Sequence, residues 1–587
     1  MPYEAPLKAQ RLAIEQACRA SGLAAISEVR ETVSDVADTV LESAGKFARD
    51  ILSPLNPSGD RTPTRLESGR VITPPGFKEA YRRFCADGWT SVNAPAQYGG
   101  QGLPHVISAA PTEMWASANL SFAMCPELTV GVVAAMQTHA SAELCDEYLP
   151  RLIAGNWTAT MCLTEPQAGS DLAEIRTRAD ADGAAWRLFG RKIFISWGDH
   201  DLTDDIAHLV LARMNGAPPG VKGLSLFLVP KMLRAGNQAT RNDIEVLALE
   251  HKMGIRSSAT CALALGEQNG ALGWLVGEPN AGLACMFTVM NLMRLGVGLH
   301  SCGLAERAYQ LARAYALTRQ QGRGAAGPNR PIIEHADVRR MLLTMKSLVH
   351  AARCIAYTAA AFIDLAHAQP LSEAERAAAD RMASLLTPIA KAWISDTAVE
   401  VSSLGVQVHG GMGFIDDCEA SQIYRDARIG PIYEGTNFIQ AQDLIGRKIE
   451  RDHGATLERL LAQIERDAMA LPAAHAGLGA LRAQLLHSVG GLRASARVFI
   501  ERGAVEPDLI GTVGYHFLQW IGVTCGGWQW ALTAGSMLPR AGTDAQARAL
   551  VDTASFFGAH VMPRTTLHEA IVTRGAAPVA NAALTEL

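Results

Sequence analysis

The chain has 587 residues, too many for one ordinary core, and that length predicts roughly three to four structural units. Hydrophobic residues make up 48% and charged residues 19%, a globular balance; the formal net charge of -5 and a pI near 6.4 argue against nucleic acid or an anionic membrane as partner. The 11 cysteines are scattered, without CxxC pairs or zinc-ligand spacing, which argues against a metal site and predicts reduced thiols in a cytoplasmic protein. The start, MPYEAPLKAQRL, lacks a basic stretch followed by an apolar run, so no signal peptide is expected. The most apolar stretch, Gly282 to Gly303, contains Arg294 and predicts a buried helix, so no membrane insertion is expected.

In chain order, residues 1–160 read as a helical domain, rich in alanine with apolar residues three and four apart. Pro54 to Pro75, rich in Pro, Gly, Ser and Thr, predicts a loop, and Asn93 to Gly102 a second turn-rich patch. Residues 161–280 change pattern. Arg187–Ser196, Ile206–Ala212 and Gly223–Pro230 are short apolar runs between Gly, Asp and Asn clusters, predicting an antiparallel β barrel or sandwich. Residues 281–450 return to a helical period and predict a bundle. Residues 451–587 are a further helical segment with two apolar stripes, Leu457/Leu460/Leu461/Ile464 and Leu478/Leu481/Leu485/Val489/Leu492.

Three motifs carry chemistry. Met161-Cys-Leu-Thr-Glu-Pro-Gln-Ala-Gly-Ser-Asp171 joins an apolar run to a turn that presents hydroxyls and backbone N–H groups, suited to an anionic or carbonyl-rich ligand. Lys192-Ile-Phe-Ile-Ser-Trp-Gly198 ends a β run in Ser and Trp, the Trp reading alone as a core aromatic. Ile423 to Asn437 places Glu434 between an aromatic and a glycine, before a turn and a helix starting near Ile439. No GxGxxG follows a strand, so no nicotinamide site is expected.

Together with Gly405-Val-Gln-Val-His-Gly-Gly-Met-Gly-Phe414, these motifs resemble the acyl-CoA dehydrogenase family over about residues 30–450. The resemblance implies an N-terminal helical domain, a middle β domain and a C-terminal four-helix bundle, with FAD between them and completed by a second subunit, so at least a dimer. It implies that Glu434 is the catalytic base. Arg294 matches an arginine near the active site, or one that supports the glutamate loop. Leu163 and Thr164 match flavin-ring contacts, Ser170 and the flanking Gly169 a pyrophosphate contact, and Phe194 and Ser196 the aromatic and hydroxyl beside the ring. Arg319 matches a pyrophosphate contact made to the other subunit's FAD. Gln407, Gly410 and Gly411 lie in the segment that wraps the same group, and Thr436 matches a further FAD contact. After Arg319 the sequence Gln320-Gln-Gly-Arg-Gly324 departs from the family's aromatic-then-glycine pattern.

The implied reaction removes an α-proton and passes the β-hydrogen to flavin, giving a trans-2-enoyl thioester, with electrons going on to an electron-transfer flavoprotein. An oxygen-using acyl-CoA oxidase and a long-chain dehydrogenase share the motifs; a non-catalytic acyl-CoA-binding protein does not fit the presence of Glu434, Ser170, Arg319 and Thr436. Tyr3-Glu-Ala-Pro-Leu7, Ala94–Gly100 and Asp443–Lys448, with the long C-terminal segment, are similar to a subgroup that includes 3-(methylthio)propanoyl-CoA dehydrogenases.

Overall fold

The computed structural model describes residues 3–235, 238–324, 327–503, 505–506 and 508–582. Its N-terminal part is helical: Leu7–Ser21, Ser27–Phe47, Ser53–Arg61, Phe77–Ala86, His105–His139 and Ala142–Ile153. The loop expected over Pro54–Pro75 is corrected. Helix Ser27–Phe47 continues through a wide turn at Ala48–Leu52 into Ser53–Arg61. That turn already gives up regular i to i−4 bonding, so Pro54, which has no N–H, fits at its exit. Arg65–Glu67 then pairs with Arg70–Ile72 in a hairpin turned by Ser68 and Gly69, both at positive φ (48° and 74°). Such two-residue turns match the twist of the strands they join.

The middle region is an eight-stranded sheet, and it is mixed where antiparallel pairing was expected throughout. Trp157–Cys162 runs parallel to Asp205–Met214, and Arg178–Asp182 has a short parallel pairing with the same strand. The remaining pairings are antiparallel. The long strand Ala185–Ser196 turns the corner: its first half pairs with Arg178–Asp182 and Ala271–Val276, its second with Thr260–Leu265. Gly190 sits at the change, where a Cβ would meet Thr177 Oγ1 at 2.4 Å.

Beyond the sheet, Gly282–Thr318, Ala336–His367 and Glu373–His409 are the long helices of a bundle. Its fourth member is broken into Glu419–Ala427 and Asn437–Gln442, and Glu434 lies in the break. Among the described residues, three helices are long and apolar enough to cross a membrane by length and composition: His105–His139, Gly282–Thr318 and Ala336–His367. In the fold 83%, 61% and 83% of their most apolar windows are buried. Where they pack, Arg353 lies between Glu113 (2.6 Å) and Glu306 (2.7 Å), with the Tyr357 hydroxyl donating to Glu113 at 2.8 Å. Burial opposes the Arg353 charge, but the two carboxylates outweigh it and hold the guanidinium protonated.

The C-terminal segment packs on this bundle. The predicted stripes on Ala455–Met469 and Ala476–Arg502 are buried. Asp508–Met537 carries Trp520, Trp528 and Trp530, all fully buried. Gly522 permits its docking, since a Cβ there would lie 2.4 Å from Trp393 Cγ. Trp530 donates through Nε1 to the Ser347 carbonyl at 3.0 Å.

Candidate active site

Glu434 stands in a nine-residue gap between two short helices and adopts a left-handed backbone, φ 58°. That conformation is costly for a residue with a Cβ and persists only where neighbours impose it. Here they hold the carbonyls on either side of the next peptide. Arg294 Nε donates to the Glu434 carbonyl at 3.4 Å, and Gln440 Nε2 donates to it at 3.0 Å. Lys391 Nζ donates to the Gly435 carbonyl at 2.8 Å and to Asn437 Oδ1 at 3.0 Å. Asn437 in turn donates to the Ala392 carbonyl and Ser395, so the loop is stitched to helix Glu373–His409. Arg294 is anchored by Asp443 at 3.1 Å and is buried. Of the two readings of this arginine, the geometry shows support of the glutamate loop.

With the Glu434 and Gly435 carbonyls occupied by these donors, the Glu434 N–H has no protein partner among the described residues. Its Oε2 is likewise buried and unpaired. Burial pushes the Glu434 carboxyl up to about 7, against the opposing charges of Arg294 and Lys391; Glu127 adds to the rise. Burial also draws Lys391 down to about 7, opposed by Glu434. A carboxyl in this range exchanges a proton readily near neutrality. Nearby, helices His105–His139 and Gly282–Thr318 enclose a cavity whose wall includes Glu127, Val130, Leu292, Met293, Gly296 and Leu299.

The β-domain residues form a second group. Lys192, fully buried, donates to the Leu163 carbonyl at 2.9 Å and pairs with Glu165 at 2.8 Å. Glu165 also accepts from the N–H groups of Arg176 and Thr177. Despite its burial, these contacts, Lys192 foremost, bring the Glu165 carboxyl down to about 2. This charged pin folds the segment so that Gly169 and Ser170 face outward, exposed. The Thr164 carbonyl accepts from the Ile193 N–H at 2.9 Å, placing Leu163 and Thr164 beside the strand that ends in Phe194 and Ser196. Phe194 is 58% exposed and also left-handed (φ 59°), an apolar ring held open to the outside. Trp197 is a core residue, donating to the Ser121 carbonyl at 3.1 Å.

A third group lies at the C-terminal ends of two bundle helices, joined by the ring contact of Tyr315 and His409 at 4.5 Å. Arg319, Gln407, Gly410 and Gly411 are exposed there. No hydrogen bond or ion pair joins this group to the β-domain group among the described residues. Thr436, placed on the sequence as a cofactor contact, caps helix Asn437–Gln442 by accepting from the Ile439 N–H at 3.3 Å.

Four family models match in sequence: acyl-CoA dehydrogenase N-terminal domain (residues 35–156), middle domain (160–267) and C-terminal domain (280–449), then an acetyl-CoA dehydrogenase C-terminal-like domain (457–583). A relative from Ruegeria pomeroyi, 3-methylmercaptopropionyl-CoA dehydrogenase, is 41% identical over 98% of both chains. The chain belongs to the acyl-CoA dehydrogenase family. Among solved structures of this fold, Caenorhabditis elegans ACDH-11 in complex with C11-CoA has a TM-score of 0.79 at 20% identity, covering 98% of this chain and 96% of that one. An acyl-CoA dehydrogenase complexed with FAD from Bacillus anthracis has a TM-score of 0.74 at 21% identity, covering 92% and 88%.

The groups on this acyl-CoA dehydrogenase fold suit a flavin dinucleotide. The Ser170 hydroxyl and Arg319 guanidinium have no protein partner among the described residues, and a Cβ on Gly169, Gly410 or Gly411 would meet nothing within 4 Å. Open backbone, a hydroxyl and an unpaired guanidinium are what a pyrophosphate needs. Sequence reasoning missed Lys391, Gln440 and Glu127. Lys391 and Glu127 left a trace, each a lone charge in an otherwise apolar helical stretch; Gln440 left none.

Proposed function

We propose that the protein is an FAD-dependent acyl-CoA dehydrogenase that converts a short acyl thioester, 3-(methylthio)propanoyl-CoA foremost, to its 2-enoyl form. The observation that carries this reading is the Glu434 carboxylate: half-buried as a residue, with Oε2 buried and unpaired, poised at about 7, and locked in a left-handed turn by Arg294, Lys391 and Gln440. The relative that is 41% identical over the whole length supports the thioether substrate.

In this reading Glu434 takes the α-proton of the thioester. Its own N–H, left free by the loop, donates to the thioester carbonyl and stabilises the negative charge that develops there. The neighbouring cavity, whose wall includes the apolar Val130, Leu292, Met293 and Leu299, would limit water around the base and help keep it strong. Ser170, Arg319 and the open glycines would hold FAD, with Leu163, Thr164, Phe194 and Ser196 beside its ring. When bound, the flavin accepts the β-hydrogen as hydride.

The reading extends to a homo-oligomer of cytoplasmic location that passes electrons to an electron-transfer flavoprotein. Exposed Met412 (55%), Phe414 (85%) and Ile415 (47%), beside Gly410 and Gly411, support pairing with a second copy. All eleven cysteines are free, which suits a reducing compartment. The test is anaerobic titration of the yellow holoenzyme with 3-(methylthio)propanoyl-CoA. Bleaching in the wild type and none in Glu434→Gln is expected; bleaching retained in that variant removes Glu434 as the base. Hydrogen peroxide released in air at the rate of turnover would replace the electron-transfer flavoprotein with oxygen.

A further inference from the structure

Helix His105–His139 is bent at Asn119, whose backbone leaves the helical region (φ -164°, ψ 90°), and its two limbs wall one cavity. His105, Ser108 and Thr112 line that cavity from the first limb, Glu127 and Val130 from the second. Glu127 marks the side of the base, since its charge bears on Glu434 and Tyr433. His105, with Asn93 and Thr90, also borders a larger groove walled further by Pro104, Ile363 and Asp364. The imidazole thus stands where the two spaces meet.

The proton of this imidazole can be placed. Asn93 Nδ2 donates to His105 Nδ1 at 3.0 Å and to Ser108 Oγ at 3.1 Å. An amide nitrogen only donates, so Nδ1 accepts and the neutral ring carries its proton on Nε2. Burial, with the neighbouring His367, draws His105 down to about 4, which keeps the ring neutral near neutrality. The Nε2–H has no acceptor among the described residues. The Asp364 carboxylate is taken by the backbone N–H groups of His105 (2.7 Å) and Val106 (2.8 Å). Thr90, Ser108 and Thr112 spend their hydroxyl protons on the carbonyls of Ile153, His105 and Ser108 (2.8, 3.2 and 3.0 Å). On the same wall the indole N–H groups of Trp89 and Trp115 are buried without an acceptor, Trp115 being 8% exposed.

Donors shielded from water and left unmet cost free energy until a ligand atom answers them. An all-carbon chain passing His105 would strip water from the Nε2–H and return nothing. An oxygen acceptor on the chain would return a hydrogen bond, and because the ring is neutral it would do so without burying a charge. Sites that offer a fixed donor discriminate more sharply than apolar walls, since the wrong ligand leaves the donor unpaired.

We propose that His105 is a specificity-determining residue of the acyl cavity, its Nε2–H donating to an oxygen acceptor carried along the acyl chain, so that medium-length oxoacyl thioesters are a further substrate class. The proposal rests on the dehydrogenase reading above and extends it. The bond is made away from the reacting carbons, so it selects the chain and leaves the proton transfer to Glu434. Asn93 is the positioning residue, because it decides which ring nitrogen holds the proton.

The test compares chains of equal length on the holoenzyme, 7-oxooctanoyl-CoA against octanoyl-CoA and 9-oxodecanoyl-CoA against decanoyl-CoA. In at least one pair kcat/KM is expected to favour the oxo chain by roughly tenfold. His105→Phe keeps a flat ring without the donor and should bring that ratio to within about twofold. Asn93→Leu leaves Nδ1 free to take the proton and should lower the ratio part of the way. A merely structural role would depress both members of a pair alike and leave the ratio unchanged. Should one variant fail to fold, the other and the wild-type ratios decide. Ratios near one in both wild-type pairs, or a preference that survives His105→Phe, overturn the proposal. So does an equal rise in KM for every acyl-CoA in His105→Phe, which would assign the donor to the CoA portion they share. Oxidation of 3-(methylthio)propanoyl-CoA with none of the four longer chains turned over overturns it as well. Failure of every acyl-CoA to bleach the wild-type flavin overturns the dehydrogenase reading instead.

Discussion

Lys391 Nζ donates to the Gly435 carbonyl at 2.8 Å, one residue beyond the left-handed Glu434. A buried lysine thus holds the backbone of Glu434 and not its carboxylate. Lys391→Met should therefore retain flavin and KM but lower kcat, by roughly ten- to a hundredfold, since small misplacements of a base are costly. Burial raises the Glu434 carboxyl and the Lys391 charge opposes that rise, so removing it should move the acid limb of the kcat profile to higher pH. An unchanged pH profile with unchanged kcat would show that the contact is dispensable.

Glu434 also links stability to pH. Its folded value, about 7, lies above the ordinary 4.5, so between these values the folded chain holds a proton that the unfolded chain has lost. Stability from this group is present below pH 4.5 and declines as pH rises through about 7. Glu434→Gln should melt at a higher temperature than the wild type at pH 8, with the difference shrinking towards pH 4. Scanning calorimetry of the two holoenzymes at the two pH values measures this.

Arg353 neutralises Glu113 and Glu306 in the helical core. Arg353→Met leaves two carboxylates buried and should cost about 3–5 kcal/mol. Adding Glu113→Gln should recover part of the loss. Urea midpoints of the single and double variants check the sign and the recovery.

Gly522 touches Trp393, where a Cβ would stand 2.4 Å from Cγ. Gly522→Ala should destabilise by about 1–3 kcal/mol through overpacking. Serine at Gly535, where a Cβ meets nothing within 4 Å, is the control expected to stay near wild type by the same denaturation measurement.

The order of helices, strands and helices was legible because the apolar periodicity changes at each junction, and the added helical segment from its own apolar stripes. The Glu434 turn could be singled out because its motif is local. The clamps that hold it were not: Arg294 and Lys391 lie 140 and 44 residues from the carbonyls they bind. The Pro54–Pro75 stretch misled because proline and glycine mark both loops and their alternatives. Pro54 fits at the exit of a wide helical turn, and Ser68–Gly69 closes a hairpin, so composition alone did not separate these from an irregular segment. The parallel pairing of Trp157–Cys162 with Asp205–Met214 was hidden for another reason: strands buried on both faces lose the alternation that reveals direction.

Helix Glu373–His409 carries Lys391, which grips the base loop, and two residues later Trp393, against which Gly522 rests. The helix that holds the Glu434 loop is thus also braced by the C-terminal segment. Residues beyond 450 buttress that helix, and the aim of the Glu434 loop should depend on masonry laid well away from it. Wear at that joint should blur the reaction before it topples the fold.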